Sequence, residues 1–335
     1  MNTKRIVSLF ASLSLVLSMS LGLTGCGDKA AQDNNQGSTD GESTKYTVGI
    51  CQLVQHEALD AATQGFIDAL NEALPGEVEF QTKNASGDSA NCSTIVNGFV
   101  SDKVDLIMAN ATGALTAAAA ATSDIPILGT SITAYGVALD IDDFDGTVGG
   151  NISGTSDLAD LEAQANMITE WFPEAKKVAL LFCSGEPNSR YQIEEVAKCL
   201  SDKGIETKEF AFTDTNDVAS VTQSAADYSD VVYVPTDNTA ASNTEAIANV
   251  LVPAGVPAIC GEEGICKGCG VATLSISYYD LGVTTGKMAV KILTGEADIS
   301  EMPIEYYQNP VKKYMASRCE ALGIEIPEGY EAIAE

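Results

Sequence analysis

Short apolar runs along this chain alternate with polar loops and with longer stretches of helical periodicity. Residues 104–113 form one such unit, in which a β-branched run ends in small polar residues and leads into an alanine-rich helix. Residues 230–239 repeat the pattern, and β-branched strands follow the two units at 125–128 and 256–259. Strands that alternate with helices are typical of parallel α/β sheets. The pattern therefore predicts an α/β fold in which one unit occurs twice.

The duplication extends upstream, because residues 46–70 and residues 177–200 both read as strand, loop and helix. Two similar lobes enclose a cleft, and open parallel sheets present their ligand loops at the carboxyl ends of the strands. We therefore predict two Rossmann-like lobes with parallel sheets that hold a small molecule between them.

The first 26 residues predict a lipoprotein signal peptide. Lys4 and Arg5 precede an apolar run at 6–23, and the Leu-Thr-Gly-Cys sequence that ends at Cys26 is typical of a lipoprotein cleavage site. A membrane-spanning anchor is the alternative, since the apolar run reaches the lower length limit for spanning. We expect lipidation at Cys26, anchoring on the extracytoplasmic face of the bacterial cell membrane, and a flexible polar tether at 27–45.

The chain is strongly acidic, with 18 basic residues, 47 acidic residues and a formal net charge of −29. Because no basic stripe is present to bind phosphates, nucleic acid is a poor partner. Such acidity indicates a solvated surface, and we expect a monomer. Arginine occurs only as Arg5, Arg190 and Arg318, which disfavours phosphate and dicarboxylate ligands that need a bidentate clamp.

Motifs of the common catalytic and metal sites are missing. His56 is the only histidine, which excludes multi-histidine metal sites, and no GxSxG, GxGxxG or P-loop motif occurs. The sequence therefore indicates a binding protein without a cofactor or metal rather than an enzyme. The one CxxC, at Cys266 and Cys269, could form a disulfide or part of a metal site. Its glycine-rich loop and the lack of further ligands nearby favour free thiols.

The duplicated loops differ in charge. The first-lobe loop carries Thr112 and Gly113 at the start of a helix whose first turn has no carboxylate, so its N–H groups and dipole favour an anion. The second-lobe loop carries Asp237 and Asn238 at the same point; Asp237 could equally cap its helix. The strand after the first helix adds uncharged hydroxyls at Thr130, Ser131 and Thr133.

An anion site on one wall and a carboxylate on the other suit a zwitterion such as an α-amino acid. Asp280 is a second candidate for the ammonium group, and Tyr278 could stack on an aromatic side chain. A branched aliphatic amino acid, a sugar, a nucleoside or a sensory role of a surface lipoprotein stay open, although sugar sites usually stack on tryptophan and Trp171 is the only one.

Several segments of the mature chain carry recognisable motifs, at residues 52–60, 65–70, 101–107, 151–157, 188–189, 235–239, 277–282 and 302–304. In this order they resemble the substrate-binding lipoproteins of ABC transporters of the tryptophan/tyrosine type. The chain departs from the family at Glu57, where proline is usual, and in its cysteine-rich stretch at 260–269.

The resemblance implies a type I periplasmic-binding-protein fold, in which two lobes joined by three crossovers close on a ligand. We expect the crossovers near 149–154, 274–278 and 302–306. The first lobe would then comprise 46–152 and 278–303, and the second 153–277 and 304–335. The resemblance also implies an aromatic amino acid as ligand, ABC permease subunits as partners, and Asn188 and Ser189 as further site residues.

Overall fold

The computed structural model describes residues 46–334. In chain order the first elements are β1 (Tyr46–Gln52), α1 (Glu57–Ala73), β2 (Val78–Asn84), α2 (Ser89–Asp102), β3 (Leu106–Asn110), α3 (Thr112–Ala121), β4 (Ile127–Ile132), α4 (Tyr135–Leu139) and β5 (Ile152–Ser156). The middle of the chain forms α5 (Leu161–Trp171), β6 (Lys177–Cys183), α6 (Pro187–Asp202), β7 (Glu206–Phe212), α7 (Val218–Tyr228), β8 (Val231–Val234), α8 (Asn238–Ala241), α9 (Thr244–Ala254), β9 (Ala258–Cys260), α10 (Glu263–Cys269) and β10 (Ala272–Ser275). The last part forms α11 (Tyr278–Leu293), a 3₁₀ turn (Ile299–Glu301), β11 (Glu305–Tyr306), β12 (Val311–Tyr314), α12 (Ala316–Leu322) and β13 (Glu331–Ala332).

These strands form two sheets. The first has the order β11-β5-β4-β3-β1-β2, and every pair in it is parallel. The second has the order β13-β12-β10-β9-β8-β6-β7 and is parallel except where β12 meets β10. Helices cover both faces of each sheet, so β3, β4 and β8 are buried along their whole length. The predicted α/β fold class of two parallel-sheet lobes is confirmed.

The chain passes between the sheets three times, after β5, after β10 and after β11. The last two crossovers lie within a few residues of the expected positions. The first begins after Ser156, because β5 pairs with β4 in the first sheet instead of leaving it at residue 152. Strand β11 also pairs in the first sheet, so Glu305 and Tyr306 lie in the first lobe and not, as expected, in the second.

The glycines at 149–154, which were expected to form a hinge between the lobes, lie within the first lobe. Gly154 lies in β5 with φ +144°, and a Cβ there would stand 2.0 Å from the carbonyl oxygen of Gly129 and 2.4 Å from the hydroxyl of Tyr135. This glycine therefore permits the close approach of β5 to β4 and to the buried Tyr135 ring. The first crossover between the lobes begins after Ser156, beyond this glycine.

The long helix after the second crossover returns to the first lobe, as the sequence indicated. A Cβ on Gly282 would lie 2.0 Å from the carbonyl oxygen of Ala62, and one on Gly65 would lie 2.1 Å from that of Tyr279. Helices α1 and α11 are thus in backbone contact through their glycines. The short helix α12 packs on the second lobe, where Cys319 joins the core.

The predicted signal peptide, the lipidation site at Cys26 and the tether at 27–45 lie outside the described residues. Within residues 46–334, no helix has both the length and the apolar character needed to cross a membrane.

Candidate functional site

The carboxyl ends of the strands of both sheets face a cleft between the lobes. In the first sheet the pairing register places Gln52, Asn110 and Thr130 at one level, so the loops that follow them emerge together. The cleft contains an outer chamber of about 630 Å³. Its walls come from both lobes and are formed by residues Leu53, Val54, Ser86, Gly87, Ser89, Ser93, Thr112, Gly113, Thr116, Ala117 and Ala120 of the first and Cys183, Gly185, Glu186, Pro187, Asn188, Thr213, Asp214, Thr215, Asn238, Thr239 and Ser242 of the second.

The N-terminus of α3 opens on the first wall of this outer chamber. No side chain caps the helix, and its first turn holds no acidic residue. Ala111, the residue before the helix, has φ +83°, a left-handed backbone that turns the chain sharply from β3 into α3. Thr112 is 4% exposed and lines the chamber. The positive end of the helix dipole is therefore available to an anionic group.

The equivalent helix of the second lobe, α8, is capped by the protein itself. Asp237 is 1% exposed; its Oδ1 accepts a hydrogen bond from the Ala240 amide at 2.8 Å, and its Oδ2 accepts one from the Cys183 amide at 2.7 Å. Burial and, to a smaller extent, the nearby Glu186 carboxylate raise the pKa of Asp237 to about 8. The capping role considered for Asp237 is thus present in the structure.

A second carboxylate, which the sequence did not single out, completes this cap. Glu186 Oε2 accepts from the Asn238 amide at 2.9 Å and from its side-chain Nδ2 at 2.8 Å. Glu186 Oε1 accepts from the amide and the hydroxyl of Thr239, each at 2.8 Å. The two walls of the outer chamber therefore differ. Carboxyl groups of the protein cap the N-terminus of α8, whereas the N-terminus of α3 has no such cap.

A smaller inner chamber of about 10 Å³, space for roughly one water, lies deeper in the cleft, beside the crossovers. It borders the outer chamber, because Asn188 and Asn238 line both. The inner chamber is lined by His56, Leu59, Ser131, Thr133, Asp157, Asn188, Thr236, Asp237, Asn238, Ala241, Glu262 and Tyr278.

Asp157 and Tyr278 meet in this inner chamber. Asp157 directly follows β5 at the first crossover, and Tyr278 opens α11 after the second. The Tyr278 hydroxyl donates to Asp157 Oδ2 at 2.9 Å, and both side chains are buried. Burial raises the pKa of Asp157, while the hydroxyls of Tyr278 and Thr133 act in the opposite direction. The pair links two of the three connections between the lobes.

Glu262 is the third buried carboxylate of the inner chamber. It precedes α10 and accepts hydrogen bonds from the amides of Gly264, at 2.6 Å, and Ile265. Burial raises the pKa of Glu262 to about 7. Like Asp237, it satisfies the N-terminus of a helix of the second lobe.

Two polar contacts cross the cleft from the start of α1. His56 Nε2 lies 3.3 Å from Asn238 Oδ1, and Glu57 Oε1 lies 3.7 Å from Lys267 Nζ. Burial lowers the pKa of His56, and its bond to Asn238 opposes that shift. Glu57, at which the chain departs from the family resemblance, thus meets Lys267 of the cysteine-rich stretch across the cleft.

Most of the predicted site residues line the cleft. Thr112 and Gly113 line the outer chamber, whereas the inner chamber brings together Ser131, Thr133, Asn188, Asp237, Asn238 and Tyr278.

Three predicted residues line neither chamber. Thr130 is buried within the first sheet, where its hydroxyl lies 3.2 Å from that of Thr155. Ser189 is buried behind Asn188, whose amide donates to it at 3.3 Å. Asp280 is exposed on the first turn of α11.

Sequence reasoning assigned no role to three buried carboxyl groups at the cleft, Asp157, Glu186 and Glu262. Each follows a buried strand by three residues or fewer, at the edge of a sheet where ligand loops lie. A search for acidic residues at these strand ends would have found them, although it would not have separated caps from ligand groups.

The cysteines and the acidic cluster do not form a metal centre in the part of the chain that the structure describes. Among residues 46–334, no group of three or more His, Cys, Asp or Glu side chains is arranged to hold a metal ion. All eight cysteines of this range are free thiols, and Cys266 and Cys269 are buried in the core of the second lobe.

Solved structures of similar proteins share this architecture. A domain from Streptococcus pneumoniae in complex with L-Trp is 29% identical, with a TM-score of 0.82 over 86% of this chain and 100% of that one. The ligand-free, open structure of a substrate-binding protein with adhesive properties from Clostridium difficile is 33% identical, with a TM-score of 0.66 over 86% of this chain and 99% of that one. Over the same share of this chain, the protein superposes more closely on the L-Trp complex than on the open structure.

Sequence comparison points to the same group of proteins. A relative described as a tyrosine-binding protein, from Clostridioides difficile, is 33% identical over 312 residues, which are 90% of this chain and 87% of the relative. The family model for the ABC transporter substrate binding protein matches residues 47–334. The chain therefore belongs to the family of ABC transporter substrate-binding proteins and has their type I fold.

Proposed function

We propose that this protein is the lipid-anchored, extracytoplasmic receptor of an ABC importer and captures an aromatic α-amino acid between its lobes. The observation that carries the proposal is the polarity of the cleft. One wall offers the uncapped N-terminus of α3 and free hydroxyls, and the inner chamber is lined by carboxyl groups. A zwitterion has the two charges that such a cleft favours.

The carboxylate of the ligand belongs on the first lobe. The α3 N-terminus with Thr112 and Gly113 provides donors without positive charge. Neither chamber is lined by lysine or arginine. An amino-acid carboxylate fits donors of this kind, whereas phosphates and dicarboxylates usually need a guanidinium group.

The aromatic side chain belongs in the outer chamber. Leu53, Val54, Ala117 and Ala120 form an apolar part of its wall, and the inner chamber has no room for a ring. The names of the relatives, a tyrosine-binding protein and a structure that holds L-Trp, favour an aromatic ligand. A sugar is disfavoured, because Trp171 lies in the core of the second lobe against Tyr330 and cannot stack on a ligand in either chamber.

A thermal-shift and calorimetric screen of the purified full-length protein tests the ligand class. L-Tyrosine and L-tryptophan are expected to bind saturably, and a ligand at 100 times its Kd stabilises the fold by about 2.7 kcal/mol. Sugars and nucleosides serve as the comparison set. Binding of a sugar or nucleoside in place of every amino acid would overturn the proposal.

Anchoring rests on the sequence around Cys26 and has its own test. The unaltered protein is expected in the membrane fraction of producing cells and to incorporate radiolabelled fatty acid, whereas Cys26→Ala should do neither. Uptake of labelled tyrosine by the same cells, measured with and without the protein, tests delivery to a permease.

A further inference from the structure

We propose that Asp157, oriented by Tyr278, receives the ammonium group of the ligand and thereby selects α-amino acids over molecules of the same shape that lack this group. The inference rests on the proposed function and names the carboxylate that meets the ligand. The four buried carboxyl groups at the cleft differ in what already bonds to them, and this difference decides among them.

Three of the four are satisfied by helix N-termini. Asp237 accepts from two backbone amides, those of Cys183 and Ala240. Glu186 is bonded on both of its oxygens to Asn238 and Thr239. These carboxylates stabilise α8, and each of their oxygens already has a donor, so a ligand there would relieve no unsatisfied atom.

Glu262 is occupied in the same way by α10. One of its oxygens accepts from the Gly264 amide and the other from the Ile265 amide. A ligand ammonium at Glu262 would therefore add a contact without relieving any unsatisfied atom.

Asp157 is different, because half of its carboxylate has no partner. Oδ2 accepts from the Tyr278 hydroxyl at 2.9 Å, but Oδ1 makes no hydrogen bond of normal geometry within residues 46–334, although the side chain is only 4% exposed. Buried carboxylate oxygens are rarely left without a donor, since the group has lost its water as well. The unpartnered oxygen therefore marks the position of a donor that comes from outside the chain.

A second unpartnered atom lies in the same chamber. The hydroxyl of Ser131 is buried and has no hydrogen-bond partner in the described part of the chain. Ser131 lies near the end of β4 with φ +56°, a left-handed conformation that is uncommon for a residue with a side chain. An ammonium group has three N–H donors, so one group can serve both Asp157 Oδ1 and the Ser131 hydroxyl.

The chamber favours a cation over a neutral hydroxyl donor, because a positive group stabilises the ionised form of the carboxyl groups around it. Asp157, Asp237 and Glu262 line it, and among its lining residues His56 is the only base. Bringing a positive group into this acidic, water-poor space gives charge-assisted hydrogen bonds, which are stronger than neutral ones.

Asp157→Asn tests the assignment, because it removes the charge and keeps the shape. The Kd is measured for L-tyrosine and for 3-(4-hydroxyphenyl)propanoate, which differs only in lacking the ammonium group. In the unaltered protein L-tyrosine is expected to bind more tightly by roughly 10- to 150-fold, the worth of a hydrogen bond to a charged group. In Asp157→Asn this ratio should fall to near one.

Asp280→Asn is the matched control, since Asp280 lies two residues from Tyr278 but is exposed. It should keep the ratio of the unaltered protein. If Asp157→Asn does not fold, Tyr278→Phe replaces it in the experiment. Loss of the orienting hydroxyl should lower the ratio of the two Kd values. A purely structural role of Tyr278 would weaken the binding of both ligands equally and leave that ratio unchanged.

The outcomes separate this inference from the proposed function. If L-tyrosine binds and Asp157→Asn keeps the full ratio, or if Asp237→Asn abolishes it instead, the assignment is wrong and the proposed function stands. If no amino acid binds the unaltered protein, both are wrong.

Discussion

His56 of the first lobe and Asn238 of the second lie 3.3 Å apart, Nε2 to Oδ1, so the only histidine of the chain bridges the cleft. Asn238 is itself held by Glu186 through its amide and its side chain. The contact thus joins a first-lobe residue to a second-lobe residue that Glu186 holds in place. Separating the lobes would break it, so we expect it to stabilise the closed state.

His56→Ala is expected to weaken binding of L-tyrosine by roughly 2- to 10-fold, the worth of one neutral hydrogen bond. The closed state loses a contact that the open state lacks, so the effect should lie mainly in a faster koff. Stopped-flow fluorescence measures both rate constants.

Glu57→Gln provides the comparison for that experiment. It removes the other cross-cleft contact, the pair with Lys267, in which the Glu57 side chain is 67% exposed. Exposed pairs contribute little, so affinity should change by less than about 5-fold, and the change should vanish at high salt. An unchanged koff in His56→Ala would show that the histidine contact does not stabilise closure.

Thr112→Val is expected to weaken binding of L-tyrosine by roughly 2- to 10-fold, because its hydroxyl lies at the open end of the α3 dipole. Tyrosinamide, which has no carboxylate, should bind the variant and the unaltered protein alike. Thr116→Val is the control, since the Thr116 hydroxyl already donates to the Thr112 carbonyl at 2.9 Å. Equal weakening of both ligands would place the ligand carboxylate elsewhere.

The ligand-free protein is expected to lose stability as the pH rises from about 6.5 to 8.5. The folded-state pKa is about 8 for Asp237 and about 7 for Glu262, well above the values of 3.8 and 4.5 expected in the unfolded chain. The folded state therefore binds more protons in this window, and raising the pH removes them at a cost to folding.

Denaturant unfolding at several pH values measures this slope. The lowered pKa of His56 acts in the opposite direction, and this effect fades as the pH rises above its unfolded value of 6.5. Asp237→Asn should reduce the slope whatever its effect on stability at any one pH. A free energy of unfolding that rises with pH across the window would contradict the prediction.

Gly282→Ala is expected to destabilise the fold by about 1–3 kcal/mol, the usual cost of overpacking. The new Cβ would stand 2.0 Å from the carbonyl oxygen of Ala62, so α1 and α11 would have to separate. Gly98→Ala in the exposed face of α2 is the control; nothing lies within 4 Å of its Cβ position, and it should stabilise the helix by about 0.5–1 kcal/mol. Thermal unfolding of the two variants should shift in opposite directions.

Much of the fold followed from local pattern. Strands such as β3 and β8 are short apolar runs, and each is followed by a loop of small polar residues and a helix, so element order and the duplication were readable from the chain. The first crossover was misplaced, because a glycine-rich stretch resembles a hinge. Gly154 is glycine for a different reason, the approach of Gly129 and Tyr135, which are 25 and 19 residues away along the chain.

The sequence by itself determined the two α/β lobes, the cleft between them and the hydroxyl-rich first wall, because these depend on periodicity and on residues next to each strand end. The tertiary structure decided which carboxylate is free. Asp237 looks available in sequence, but the amide of Cys183, 54 residues away, and the nearby Glu186 complete a cap around it. Asp157 accepts one hydrogen bond of normal geometry, from Tyr278, 121 residues away, and its Oδ1 has no such bond in the described part of the chain. Whether a buried carboxylate binds a ligand depends on which donors the fold brings to it, and those donors are distant in the chain.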